Sequence, residues 1–420
     1  MFISIVDTWN TEMPRSLGEP TRTLAYLAVL RSVRSVAAGI IFVIFPYMVR
    51  DLLHLGLFEL GLMYAVAGAA TAALSIVVGY MADLMGRKSS LYISSALLVL
   101  TPAIMLMKFN VATAFAAAIL GGISATGTMG AGGVGGVVGP VQNAIIADLT
   151  GRGNRTRLIS LLFFIGSITA AAGTLIGGIL SYFDELVIAT ILSAASMALI
   201  PLMRLPDVRA TGLGMRSKVN AFKFSVTGML NGLSNGLTTP FIVPIFIYVY
   251  RAPRFLVGDI TTAASLVATF SMLMAPSIER ALGFLKSIYI TRGLTIPLML
   301  AFPFVGSLWA AAGLYLAYPM LRVVAIPVQQ SFLLELTPPE ERGRVSGYNQ
   351  GSRLMLSSIG TFIGSPFFYS ADAPVLGGLL LYSVPFIAYG AVTAANIYLY
   401  RRFFSADEAR LRRPGAGLEA

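Results

Sequence analysis

Five arginines sit inside long apolar runs: Arg31, Arg34, Arg292, Arg322 and Arg353. Acidic residues stop at the ends of those runs, where Glu59, Asp83, Asp148, Asp259, Glu279 and Glu335 stand. A guanidinium is planar, permanently charged and forked, so it clamps carboxylate or phosphate through two parallel hydrogen bonds. Buried arginines without buried acids are therefore expected to make a positive chamber for a small organic or inorganic anion. The competing reading has each guanidinium bonded to helix-end carbonyls, or to Asp148 and Glu335, holding one conformation. Amides in the same runs, Gln142, Gln329, Gln330, Asn231 and Asn235, either recognise a substrate or hydrogen-bond across helices. Asn231 and Asn235 are four apart and share one face of a helix. A mid-membrane carboxylate, the usual proton-coupling device, is not visible.

Other chemistries are excluded by what the chain lacks. With no cysteine and one histidine, disulfides, thiol nucleophiles, Fe–S clusters and Cys-ligated zinc all fall away. His54 lies between two apolar runs and reads as a solvated loop residue. The glycines from Gly127 to Gly139 are not followed by Lys-Ser/Thr, so they do not form a phosphate-cradling loop. They read either as close helix packing, for example Gly132 against Gly136, or as a functional break in a helix. Neither an enzyme nor a cofactor or metal is expected. Large ordered loops, paired carboxylates and an ATP-binding motif are missing as well.

The elements that would position these residues are membrane helices. Charged residues make up 12% of the 420, and hydrophobic ones 56%, with a mean hydropathy of +0.78. A soluble domain carries about 25% charge. Apolar stretches repeatedly reach the roughly 20 residues that cross hydrocarbon. Twelve spans are expected, near 24–49, 57–82, 89–107, 118–148, 158–182, 186–204, 224–249, 259–278, 287–305, 308–336, 345–369 and 375–400. At about 1.5 Å per residue, Arg322 lies roughly 20 Å from either end of its span. Arg34 and Arg353 lie roughly 15 Å in, and Arg31 and Arg292 only about 10 Å, where they could snorkel to the interface. Of the 30 basic residues, 21 fall in one set of loops and 4 in the other. That bias places both termini in the cytoplasm, and it explains the net charge of +11 without nucleic acid. Residues 1–22 lack the layout of a signal peptide and read as a cytoplasmic lead-in.

The spans are duplicated. Pro140-Val141-Gln142 through Arg155 and Arg157 recurs 187 residues later as Pro327-Val328-Gln329 through Arg342 and Arg344, with seven of 18 positions identical. Ordinary composition predicts roughly one. Gly173-Thr174-Leu175-Ile176-Gly177 likewise returns as Gly360-Thr361-Phe362-Ile363-Gly364. The chain is thus expected to be an N-terminal six-helix bundle at 1–204, a cytoplasmic linker at 205–222, and a C-terminal bundle with a basic tail at 223–420. The two halves run parallel.

Between the second and third spans stands Gly79-Tyr80-Met81-Ala82-Asp83-Leu84-Met85-Gly86-Arg87-Lys88. It resembles the signature loop of the major facilitator superfamily, G-x-x-x-D-R-x-G-R-R/K, through Gly79, Asp83, Gly86, Arg87 and Lys88. Leu84 departs, standing where a basic residue is usual. Glu279, Arg280, Gly283 and Lys286 echo the loop faintly in the second half. On its own physics, Gly79 admits a close backbone neighbour, and Asp83 can face the N-terminus of a helix starting on that side. Arg87 and Lys88 could reach Asp148. The resemblance implies that this constellation latches the cytoplasmic side in the outward-facing state. Gly79, Asp83, Gly86, Arg87, Lys88 and Asp148, together with Glu335, the repeat of Asp148, and Arg344, the repeat of Arg157, would then be gate residues. It also implies that spans 1, 4, 7 and 10 line the cavity and that 3, 6, 9 and 12 face lipid. Arg34, Arg322 and Arg353 would face the cavity, while Arg292 would not.

The resemblance implies an all-α polytopic membrane protein, twelve helices in two parallel-repeat bundles, working by alternating access. The expected partners are a small-molecule substrate and membrane lipid, with the chain a monomer in the cell membrane. A small organic anion or metabolite leads as substrate. Efflux of amphipathic drugs is the first alternative, and a receptor or scaffold on the same fold is the second.

Overall fold

The computed structural model describes residues 18–55, 57–120, 123, 137–150, 155–177, 180–205, 217–242, 245–246, 250, 252, 254–369 and 376–411. Among these, regular structure is helical throughout. The helices of the first half are α1 (Gly18–Leu53), α2 (Leu57–Leu84), α3 (Arg87–Met107), α4 (Val111–Ile119), α5 (Gly139–Leu149), α6 (Arg155–Ile176) and α7 (Tyr182–Ala198). Those of the second are α8 (Lys218–Thr238), α9 (Arg254–Ser271), α10 (Ala275–Leu282), α11 (Phe284–Ala301), α12 (Leu308–Glu335), α13 (Arg342–Tyr369) and α14 (Leu376–Leu411). Helical segments fall in each of the twelve expected windows. Seven stretches among the described residues are long and apolar enough to cross a bilayer. The glycine run lies outside the described residues except for Gly139, which opens α5. At the C-terminal end α14 continues past its expected limit, and Lys223 pairs with Asp407 there at 2.9 Å.

Apolar side chains gather into three cores, and their placement sets the shape of the site. One core draws on both halves: Val78, Leu91, Ile145 and Leu158 pack in the same cluster as Met272, Val324, Phe332 and Phe404. All lie toward the end of the molecule that carries the signature loop. Toward the opposite end the cores are separate. Ile41, Phe45, Met63, Ala117 and Leu186 form one within the first half. Ile242, Phe246, Phe302, Tyr315 and Phe386 form the other within the second. Among the described residues, the halves therefore share a buried apolar core at the signature-loop end.

Backbone contact at that shared end depends on glycine. A Cβ on Gly79 of α2 would stand 2.5 Å from the Gly343 carbonyl oxygen and 3.1 Å from the Gly347 Cα of α13. On its other side α13 lies against α8, where Gly232 and Gly236 meet the carbonyls of Arg353 and Ser357. Helix α13 is thus held at backbone distance by both halves.

Candidate functional site

Two constellations stand out. The first is an ion network at the signature-loop end. Helix α2 ends at Leu84, the chain turns through Gly86 at φ 90°, and α3 begins at once with Arg87. Arg87 bridges to Asp83, reaches Asp148 Oδ2 through Nε at 3.0 Å, and donates to the Pro339 carbonyl at 2.8 Å. Asp148 accepts a second arginine, Arg342, at 2.8 Å. Asp83 accepts the backbone amides of Gly343 and Arg344 at 3.0 and 2.8 Å, and Arg344 Nε at 3.1 Å. Those amides belong to the first turn of α13, whose N–H groups have no partner within their own helix and whose dipole favours an anion. Two carboxylates and three guanidiniums from both halves thus join in one network. Lys88 is not among them; its ammonium meets the carbonyls of Pro201 and Met203 at 3.2 and 3.5 Å.

The repeat predicts a second network, and it is present in altered form. Glu335, the equivalent of Asp148, pairs with Arg155, the equivalent of Arg342, at 3.0 Å. Gly283 repeats the positive φ of Gly86 at 82°. Phe284 then opens α11 where Arg87 opens α3, so the arginine that would bridge the two carboxylates is missing. Glu279, one position out of register with Asp83, has a buried Oε2 with no hydrogen-bond partner. Burial pushes its carboxyl up to about 7; Glu335 adds to the rise, while the Thr156 hydroxyl and Arg280 oppose it. Thr156 Oγ1 itself completes no hydrogen bond, so its pull on Glu279 is weak. Deeper in the molecule, Asn143 Nδ2 donates to Gln330 Oε1 at 3.0 Å and joins the halves by a neutral contact.

The second constellation is a cavity within the second half, lined by Asn231 and Asn235 of α8, Arg292 and Thr295 of α11, Arg322 of α12, Arg353 of α13, and Tyr389, Thr393 and Asn396 of α14, among others. Three of its lining residues are arginines and none is acidic. Arg292 gives one nitrogen to Asn396 Oδ1 and another to Gln329 Oε1 at 2.6 Å, and lies 5.0 Å from the Tyr400 ring centre. Arg353 donates to Gln350 Oε1 at 2.6 Å. Arg322 makes no hydrogen bond to the described residues; its guanidinium carbon stands 6.0 Å over the Tyr318 ring. The Tyr318 hydroxyl in turn donates to Asn235 Oδ1 at 3.1 Å, and Asn235 Nδ2 reaches Asn231 Oδ1 at 3.2 Å.

Several sequence expectations land elsewhere. Arg34 does not join Arg322 and Arg353; it turns toward α3, bonding Ser95 Oγ at 2.6 Å and the Ser94 carbonyl at 3.4 Å. Span 3, expected to face lipid, carries those serines on a buried face. Gln142 accepts Arg31 Nη1 at 2.8 Å, and Gln329 accepts Arg292, so each amide oxygen is occupied by a guanidinium. Arg31 does not snorkel: it is buried and stacks 4.4 Å from the Phe163 ring centre. Arg292, which the family layout turned toward lipid, lines the cavity. A signal for it was present, since Ser287, Thr291 and Thr295 recur every four residues and put a polar stripe on a helix otherwise read as lipid-facing.

An all-helical, internally repeated bundle with spans of membrane length and an ionic seam between its halves defines a polytopic membrane transport protein. The sequence profile of the Major Facilitator Superfamily matches residues 27–364. The chain belongs to that superfamily and is a transporter, not an enzyme. Among solved structures it is similar to the human organic anion transporter MFSD10 (TETRAN), at 15% identity over 92% of this chain and 100% of that one, TM-score 0.72. A bacterial homologue of the iron transporter ferroportin, in an outward-facing state, gives 15% identity over 92% and 99%, TM-score 0.69. The E. coli fucose:proton symporter gives 12% over 89% and 98%, TM-score 0.65. These likenesses concern the fold alone. No curated protein sequence matches the chain.

Proposed function

We propose that the protein is a secondary transporter that passes a small anion across the cell membrane by alternating access, with both termini in the cytoplasm and the chain acting as a monomer. One observation carries the substrate class: Arg292, Arg322 and Arg353 line a single cavity with no acidic residue beside them. The amides and hydroxyls of Asn231, Asn235 and Tyr389 would orient the solute. A polar, cationic lining suits a small anion better than an amphipathic drug. That one neighbour transports organic anions agrees with this reading and adds little weight at 15% identity. Asp83, Arg87, Asp148, Arg342, Arg344, Arg155 and Glu335 would form the cytoplasmic gate, closed in this arrangement, with 1–204 and 223–420 as the rocking units about the 205–222 linker.

Counterflow in proteoliposomes tests the proposal. Vesicles loaded with unlabelled succinate, phosphate or acetate should draw in the labelled compound transiently above its outside level. A protein that binds anions but shows no counterflow would be a receptor on a transporter fold.

A further inference from the structure

We propose that the arginine cavity of the second half selects a small dianion over monoanions, with the ligand's two charges met by Arg322 and Arg353. This rests on the anion reading above and narrows it. The three guanidiniums are not equally supplied. Arg292 already has two neutral oxygen acceptors, Asn396 Oδ1 and Gln329 Oε1, and an aromatic ring beside it. It is built into the wall. Asn396 is itself fixed, since its Nδ2 donates to the Thr227 carbonyl, which turns its oxygen toward Arg292. Among the described residues Arg353 has one acceptor, Gln350 Oε1, and Arg322 has none.

Elsewhere this chain treats buried arginine differently. Arg87, Arg155, Arg342 and Arg344 all have carboxylate partners. Arg31 and Arg34 lack carboxylates but are packed against Phe163, Gln142 and the serines of α3, away from this cavity. Among the described arginines away from the surface, Arg322 and Arg353 are the ones that bring open donors to a cavity wall. An Arg carries five N–H donors in a fixed fork, and a carboxylate or tetrahedral oxyanion accepts two of them at once. A monoanion would leave two cations in excess in a poorly screened chamber, and a dianion leaves one. Desolvated charge favours the closer match. Dicarboxylate and tetrahedral oxyanion share this chemistry.

Calorimetric titration of the purified full chain at pH 7 separates the cases. Succinate is compared with acetate, and sulfate with nitrate. The expected result is that at least one dianion binds about 30-fold or more tighter than its singly charged partner. Which pair shows the gap tells a dicarboxylate from a tetrahedral oxyanion. Arg322→Gln should erase the gap while leaving the unliganded melting temperature unchanged, because Arg322 holds no hydrogen bond that folding needs. Should that variant melt early, the near-isosteric Asn231→Asp puts a carboxylate into the same cavity and is expected to weaken the dianion by about tenfold or more, and the monoanion less. Equal affinity within each pair would overturn the dianion inference and leave the anion reading standing. So would selectivity that survives the substitution. Binding of none of the four anions would overturn both.

Discussion

At the scale of the residue, the two halves of the ionic seam differ by one side chain. Arg87 bonds Asp83, Asp148 and the Pro339 carbonyl, and Phe284 in the equivalent place offers no donor. Removing Arg87 would leave Asp83 and Asp148 buried beside each other with fewer partners, a change that costs about 3–5 kcal/mol when one member of a buried pair is lost. Arg87→Ala is expected to lower the melting temperature and to raise the reactivity of a cysteine introduced at the signature-loop end. The chain has no cysteine of its own, so such labelling is clean. Glu279 gives a pH dependence whose sign is fixed. Its carboxyl is raised to about 7 with the seam closed, and it returns toward an ordinary value of about 4.3 if the seam opens to water. Its contribution to the closed form is therefore fully present below the ordinary value and is lost as pH rises through about 7. The groups facing it are Arg280 on its own helix, Glu335 from α12, which is itself paired with Arg155, and Thr156 from α6. On α11, Lys286 is exposed, and the short turn Met272–Met274 carries no charge. Spin-label distances across this end should lengthen between pH 6 and 8 in the wild type. In Glu279→Gln they should stay short; an unchanged pH response there would remove Glu279 from the account.

At the scale of the element, α13 is the part on which both halves close. It lies against α2 through Gly79, Gly343 and Gly347, and against α8 through Gly232 and Gly236. Gly79→Val would push into the Gly343 carbonyl, and overpacking of this kind costs about 1–3 kcal/mol. Because the Asp83 contacts to Gly343 and Arg344 depend on the same approach, the variant should open the seam as well as soften the fold. Fewer ordered closed distances by spin labels, not merely a lower melting point, is the expected result. These elements were largely legible in the sequence. Hydropathy located the helices, and the 187-residue repeat paired Glu335 with Asp148 in advance. The partners across the seam were less legible. Arg155 meets Glu335 only because α6 and α12 are brought side by side, and no local spacing encodes that. Arg292 was misread for a different reason: its orientation was taken from the general layout of the family, whereas the polar stripe on its own helix pointed inward.

At the scale of the whole molecule, the shared core makes the halves partners in one body. Residues from both pack together at one end, with Tyr80 edge-on to Tyr348 and Phe164 edge-on to Phe270 across the seam. Two polypeptides cut within 205–222 and expressed together are therefore expected to co-purify without a covalent link. Recovery of either half alone would mean that the linker, not the buried surface, holds them.

The same uneven distribution of apolar contact has a thermodynamic meaning for an empty carrier. Separating the halves where they are joined exposes buried surface and breaks ion pairs, while among the described residues the far end has no common core to break. An unloaded molecule should thus idle with its chamber presented to the far side. A solute arriving there finds the receptive form already abundant, and one arriving from the cytoplasm binds only the minority that has swung over. Apparent affinity is reduced by the fraction competent to bind, so half-saturation measured from the two faces of the membrane should differ even though the chamber is the same.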